Sequence, residues 1–428
     1  MPPAAAVPPV IGAVVAGIVL VLTGPGGSPA PARTPSVPQE MAGYSYLTGS
    51  VSSSPPGPVV ALWQHGYGVE LLDLPQAVVL GAGGDSYRRV DVAEERAGSE
   101  TQGDPAPMLL SPDGTRVAVG DHGIERPDVV VVDLTTGATT RHALPAGRSV
   151  VPLAWSADGD QLASLVSDEA TSPYSGGRIT GDVALLDLPD DDAEVLRLER
   201  SATAAAFSPD GSELAVEQSG GVTVVDLQDG GSRSLEVDGV LAGPAAWSPD
   251  GRLLAVTSVE PSIAPAGLDA PGTPTGLSFV DPSGQGRDVP DPVLLPLAGP
   301  GRVLGWAGPG EVLAVLAVDG TDAQVLSGVP LDGTRPRALM RMSDLGSYGV
   351  GRFQLASSVA ETLEVVTPAD VDRGPWPLPV RGLTALVLGL AAWLGARVVV
   401  RLSARRATAP TVAAAGPTTP HTLTDVPR

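Results

Sequence analysis

The chain has 428 residues, 26 Arg and no Lys against 48 Asp plus Glu, a formal charge of −22, and no Cys. An acidic excess of that size repels nucleic acid, and the lack of Cys excludes disulfide frameworks, thiolate zinc sites, iron–sulfur clusters, Cys nucleophiles and a lipidated Cys. Gly (53) and Pro (44), with only 4% aromatic residues, mark a turn-rich chain whose 43% apolar content still suffices for a large core.

In chain order, the first predicted element is the uncharged run Ala4–Leu22. As a helix it would measure about 28 Å, enough to cross a bilayer, so residues 1–23 read as an N-terminal transmembrane anchor or signal segment. No basic n-region precedes it, which favours an uncleaved anchor. Residues 24–40 follow as a Pro-rich linker.

Residues 41–370 carry a repeat. Ser-Pro-Asp-Gly stands at 111–114, 208–211 and 248–251, with Ser-Ala-Asp-Gly at 156–159 and a divergent copy at 306–311. Trp155, Phe207 and Trp247 directly precede three of them, and an apolar-alternating strand follows each. Ser, Pro, Asp and Gly in that order suit a type I turn closed by a left-handed Gly, so each copy predicts a strand–turn–strand corner. Downstream of every corner a strand ends in Asp: Asp133, Asp187, Asp226 and Asp281, with Asp73 upstream, Asp332 as a weak member and Thr367 in the same place of a seventh copy. The mean interval from Asp73 to Thr367 is 49 residues, the period of a four-stranded propeller blade. The expected fold is therefore an all-β propeller of four-stranded blades. Seven strand-Asp positions favour seven blades, with Tyr44–Thr48 as the closing outer strand; six follow if the copy around Leu363 completes the first blade. Polar inserts at Gly84–Pro107 and Glu260–Pro274 break the period and are expected as surface loops, where repeat proteins often place binding specificity.

An aromatic residue, Ser-Pro-Asp-Gly, an alternating strand and a strand ending in Asp-Leu together resemble the TolB-type, WD-repeat-like β-propellers over residues 59–368. No Trp-Asp dipeptide occurs. The layout also looks like the propellers that actinobacteria anchor in their membranes. The resemblance implies an interaction platform with protein or cell-envelope partners.

No residue of the repeat region forms a recognisable catalytic constellation. There is no Gly-x-Ser-x-Gly, and the histidines between the two apolar runs are His65, His122 and His142. His65 and His122 occupy similar places after the second strands of the first two blades; a repeat-encoded turn residue is preferred there to a two-His metal site. Asp190-Asp191-Asp192 lacks the spacing and Gly of a calcium loop and reads as a solvated hairpin tip. Arg88 and Arg89 could clamp an anion, but pairing with Asp85, Asp91, Glu94 and Glu95 is preferred. No Walker loop is possible without Lys, and Gly81–Gly84 lacks the helix of a dinucleotide fingerprint. No catalytic, cofactor or metal residue is assigned.

A linker over 371–380 leads to the last apolar element, residues 381–400, a second membrane-spanning candidate interrupted only by Arg397. Arg397, Arg401, Arg405 and Arg406 crowd its far end, so the positive-inside rule places the tail, 401–428, in the cytoplasm as a basic and then disordered segment. Residues 41–376 hold 19 Arg against 46 acids, a net −27, whereas 377–428 sum to +5. The expectation is a cell-membrane protein with an extracytoplasmic propeller, acting as a non-enzymatic binding or scaffolding module. The alternatives are a hydrolase or lyase with a site in the central channel, or a transmembrane sensor. Converging His, Arg and carboxylate groups in the channel would favour the enzyme, and a featureless funnel the scaffold.

Overall fold

The computed structural model describes residues 34–66, 74–145, 148–174, 178–219, 221–260, 272–318, 320–342, 349–368 and 370–407. The run Ala4–Leu22 and the tail beyond 407 lie outside them. The chain divides into two compact units, and the propeller belongs to the unit spanning Pro25–Pro377.

In chain order, β1 (Ser36–Pro38) precedes three strands, β2 (Val59–His65), β3 (Gln76–Gly81) and β4 (Tyr87–Arg89), and a short helix, α1 (Asp91–Glu95). Blade two is β5 (Met108–Leu110), β6 (Arg116–Val119), β7 (Asp128–Asp133) and β8 (Thr139–Ala143), and blade three is β9 (Ser149–Trp155), β10 (Gln161–Ser167), β11 (Asp182–Asp187) and β12 (Asp192–Val195). Blade four is β13 (Ala202–Phe207), β14 (Glu213–Gln218), β15 (Gly221–Asp226) and β16 (Ser232–Leu235). Blade five is β17 (Val240–Leu241), β18 (Leu254–Glu260), β19 (Thr273–Val280) and β20 (Val293–Leu294). Blade six is β21 (Val303–Trp306), β22 (Glu311–Ala317), β23 (Gln324–Pro330) and β24 (Arg337–Met342). Then β25 (Val350–Leu355) pairs antiparallel with β2, so blade one reads β25-β2-β3-β4 from the centre outward. Its inner strand comes from the far end of the chain, and that pairing closes the ring.

Six four-stranded blades are therefore present among the described residues, where the strand-Asp count favours seven. One look-alike accounts for the extra copy, and in blade one the expected Asp73 lies outside the described residues. The segment at 363–367 is no blade strand: β26 (Glu364–Val366) pairs in parallel with β1 in a separate two-stranded sheet. In blade one the counterpart of Asp133-Leu134 is Gly81-Ala82, because Ala82 N–H bonds Pro58 C=O as Leu134 N–H bonds Thr115 C=O. Tyr44–Thr48 is a turn and not a strand. The first blade is completed by β25, not by the copy around Leu363.

The corners form as their chemistry dictates. In each of the four clear copies the Ser hydroxyl donates to the Asp carboxylate (2.5–2.7 Å) and accepts the N–H five residues on, from Arg116, Gln161, Glu213 or Leu253 (2.9 Å). The closing glycines lie at φ 68–74°, a region open to them because they lack Cβ. The aromatic residue ahead of the corner ties blades together: Trp155 Nε1 donates to Leu109 C=O, Trp247 to Ala206 C=O and Trp306 to Ala245 C=O, each on the preceding blade. The core lies between blades. Val117, Val132 and Leu62 share one cluster, and Ala163, Val183 and Leu214 another. Middle strands such as β7 (DVVVVD) read as unbroken apolar runs because both faces are covered.

The insert Gly84–Pro107 is not simply a loop. It supplies β4, α1 and a 3-10 turn at Ser99–Thr101, with Tyr87, Arg88 and Ala93 buried. The end of the expected linker likewise belongs to the fold, since β1 buries Val37 completely.

In the other unit, the described residues form one helix, α2 (Leu378–Ala407). Its segment Leu378–Leu402 is 25 residues long and apolar enough to cross a membrane; at 1.5 Å per residue it reaches about 37 Å. Arg397 lies 4.0 Å from the centre of the Trp393 ring, an arrangement that suits an interfacial position.

Candidate binding site in the central channel

The inner strands of all six blades point the same way. The Ser-Pro-Asp-Gly corners therefore gather at one end of the channel, and the starts of the inner strands gather at the other. At that second end lies a cavity of about 490 Å³. Its wall is mostly apolar, with Met108, Val151, Leu153, Leu165, Ile179 and Leu241 among the contributors. Three arginines, one glutamate and one histidine enter it from five different blades.

Arg178, from the β10–β11 connection, pairs with Glu217 on β14. Glu217 is buried and saturated: it also accepts the Thr203 hydroxyl at 2.8 Å and the Leu241 N–H at 2.7 Å. Arg352 sits on β25 at a bulge, where Leu62 faces Gln354 and Gln64 faces Gly351, so Arg352 and Phe353 share the space opposite Trp63. Its φ of 53° is left-handed, a conformation that costs a non-Gly residue about 1–2 kcal/mol. Bulges of this kind turn a side chain away from the ordinary alternation. Here the guanidinium reaches the cavity and lies 3.8 Å from the buried Asp104 carboxylate.

Arg302 stands just ahead of β21. Its stem lies over Gly243, where an added Cβ would come within 3.2 Å of it. Gly243 thus leaves the room the side chain uses. Among the described residues Arg302 makes no hydrogen bond or ion pair. Its side chain is exposed within the cavity. Loss of solvent, and secondarily the charge of Arg352, push its pKa below the ordinary value, with Glu217 acting the other way. Guanidinium stays charged regardless.

His122 is buried, with Nδ1 2.8 Å from the Thr171 hydroxyl. Burial first, then Arg352, lower its pKa to about 4, against a smaller opposing effect of Glu100. The imidazole is neutral at neutral pH.

The residues singled out in the sequence go elsewhere. His65 lies against the Tyr44 ring (5.3 Å) and does not share the cavity with His122. Arg88 bonds Asp372 (2.8 Å), a partner almost 300 positions away, together with the Ser54 and Tyr87 carbonyls; Arg89 pairs with the expected Glu94 (2.7 Å). Asp191, exposed at the β11–β12 hairpin, engages His142 of the neighbouring blade at 2.7 Å. Among the described residues no cluster of three or more His, Cys, Asp or Glu is arranged to hold a metal. Both inserts do border the cavity, through Pro107, Gly272 and Pro274. Arg178, Arg302 and Arg352 went unnoticed as single residues. One signal was available: among the described residues β25 is the only inner strand with a charged residue.

No protein-family model and no curated protein sequence matches the chain. Solved structures do. The likeness is to propellers. TolB from Acinetobacter baumannii aligns over 70% of this chain and 67% of its own at 16% identity and a TM-score of 0.48. The β-propeller domain of Myceliophteria thermophila Cps50 (Swd1) aligns over 56% and 73% at 16% identity and a TM-score of 0.37. An oligogalacturonate lyase in complex with manganese aligns over 55% and 65% at 15% identity and a TM-score of 0.38. The propeller fold itself is read from this chain's own four-stranded blades and the closure by β25.

Proposed function

We propose that this chain is a membrane-anchored, non-enzymatic binding module, its propeller on the outer side of a cell membrane and its ligand, from a protein or envelope component, received in the arginine-lined end of the channel. The observation that carries the reading is Arg302, a charged side chain given space by Gly243 and without a partner among the described residues, inside a 490 Å³ cavity. Such a volume lies in the range of ligand sites, whose walls are typically apolar with a few placed polar groups. The anchoring half rests on α2 and on the Arg-rich end of that helix.

The chain has no Cys, so a single Val151→Cys substitution on the cavity wall gives one thiol to alkylate. Components of solubilised membranes retained by that variant should include at least one that is lost once a bulky maleimide fills the channel. An identical set before and after alkylation would refute the channel as the site.

A second reading, a hydrolase or lyase in the same channel, has His122 in its favour, since a neutral imidazole can accept a proton. Glu217 does not help it, with both carboxylate oxygens already occupied. Turnover of a bound component that disappears in His122→Ala while binding persists would establish it.

A further inference from the structure

The charges around the cavity do not cancel, and the remainder says what kind of ligand fits. Arg178 is matched by Glu217 and Arg352 by Asp104. Arg302 is matched by neither, and it lines both this cavity and a narrow space of about 60 Å³ bordered by Leu110, Trp155 and Leu355. One uncompensated positive charge therefore stands near the floor of a largely apolar chamber. This occurs in a region of the chain, 41–376, that as a whole holds 46 acids against 19 Arg. A surface so acidic repels anions from everywhere except such a recess.

The backbone is also bent toward this end. Arg352 could have lain in regular β conformation with its side chain following the alternation of β25. Instead it occupies a left-handed position on a bulge, which brings a second guanidinium to the same chamber. Left-handed non-Gly residues that persist against their cost gather where a side chain must be aimed. Gly243 is the complementary feature, a backbone position at φ 93° whose missing Cβ is the space the Arg302 stem takes. A guanidinium fork suits an anion that presents two oxygens side by side, and a single surplus charge suits a monoanion.

We infer that the channel binds a monoanionic oxyanion, a carboxylate or phosphodiester, carried on an apolar body, with Arg302 as the direct partner of the anion and the cavity wall as the seat of the apolar part. This rests on the channel being the binding site, as proposed above. A ligand of this design desolvates a charge that the protein leaves open, and its apolar part replaces water against Val151, Leu153 and Ile179.

The test is calorimetric titration of the Val151→Cys protein with four probes of one chain length: octanoate, methyl octyl phosphate, octanol and octylamine. One of the two anions should bind at least tenfold tighter than octanol, octylamine should bind weakest, and the anion's advantage should shrink as salt is raised; the tighter anion names the headgroup. Arg302→Gln should reduce that anion to the level of octanol, and Arg302→Lys should restore part of the loss, with circular dichroism of both variants matching the parent. Alkylated protein should bind none of the probes. If octanol or octylamine binds as tightly as the anions and alkylation abolishes it, the channel reading stands and the anion inference falls. If alkylation leaves probe binding unchanged, or no probe binds, both fall.

Discussion

Replacing Glu217 by Gln tests the channel's internal wiring. The buried carboxylate accepts from Thr203 Oγ1 and Arg178 on one oxygen and from Leu241 N–H on the other. A Gln amide has one acceptor oxygen. Whichever way it turns, its NH₂ faces a donor, either the Leu241 amide or the Arg178 guanidinium. Losing one buried hydrogen bond and leaving a donor opposite a donor costs about 2 kcal/mol; a fully buried ion pair would cost more, but Arg178 is 43% exposed and water can reach it. With an unfolding entropy of about 2.1 cal/mol/K per residue over roughly 330 ordered residues, 2 kcal/mol lowers the melting midpoint by about 3 °C. Thr203→Val removes one hydrogen bond without creating a donor clash, and about half that shift is expected. Differential scanning calorimetry of the two variants beside the parent reads both numbers. Equal midpoints for Glu217→Gln and the parent would show that the carboxylate is not the hub of these contacts. The same substitution frees Arg178 and adds a second surplus charge to the cavity, so octanoate should bind more tightly to Glu217→Gln despite its lower stability.

Ser208→Ala should destabilise the propeller by about 1–2 kcal/mol, because the Glu213 N–H loses its acceptor and Asp210 a donor; Ser212→Ala, at the exposed side of the same turn, should cost less, and urea midpoints compare them. Hydrogen bonds from the corner serines are the largest influence holding Asp158, Asp210 and Asp250 below the usual carboxylate range; at Asp113 burial is the largest single influence and acts upward, but the Ser111 and Thr115 hydrogen bonds and Arg116 together bring the carboxyl below that range as well. A depressed native pKa gives stability that is complete above the unfolded value near 4 and is lost as pH falls through the native one. The corner carboxylates should therefore contribute nothing to the pH dependence of the urea midpoint from pH 7 to 5, where His122, neutral in its buried site, loses stability as pH falls and Glu94, raised by burial to about 7, gains it; below pH 4 they should steepen the fall, and Asp250→Asn should reduce that part of it, an unchanged slope there contradicting the assignment. His122 should remain neutral in proton NMR down to about pH 4, and Arg352→Gln should raise its pKa only part of the way to normal, because burial is the larger cause. A chain ending at Pro377 should show weaker membrane association in fractionated cells than the full chain; equal association would remove α2 as an anchor.

The corners were legible in sequence because their chemistry is local. Ser, Asp and Gly within four positions close the turn without help from the rest of the chain, and the aromatic residue before them marks the clasp to the previous blade. Blade number was not legible from the same motifs. β25 (VGRFQL) carries neither corner nor terminal Asp and still closes the ring, while the segment around Leu363 imitates a blade strand and pairs with β1. Strand pairing across almost 300 positions leaves no spacing to read. The arginine cluster was hidden for a related reason: Arg178, Arg302 and Arg352 belong to different blades and meet only once the ring has closed. Arg88 shows the same limit on a smaller scale, since its acidic neighbours in sequence were the natural partners and Asp372 took their place.

Closure by β25 also sets an order of events for a nascent chain. Ala61 of β2 is paired with Leu355, 294 positions later. While the ribosome is making blades two to six, β2 has an unpaired inner edge and the apolar cluster around Trp63 lacks Phe353 and Leu355. Contacts this distant form late and slowly, and an open strand edge beside exposed apolar surface invites aggregation in the meantime. An intermediate missing only its last strand is thus a natural target for chaperones and proteases. Substitutions in β25 should therefore reduce the amount of protein in the cell more than their effect on the finished fold suggests.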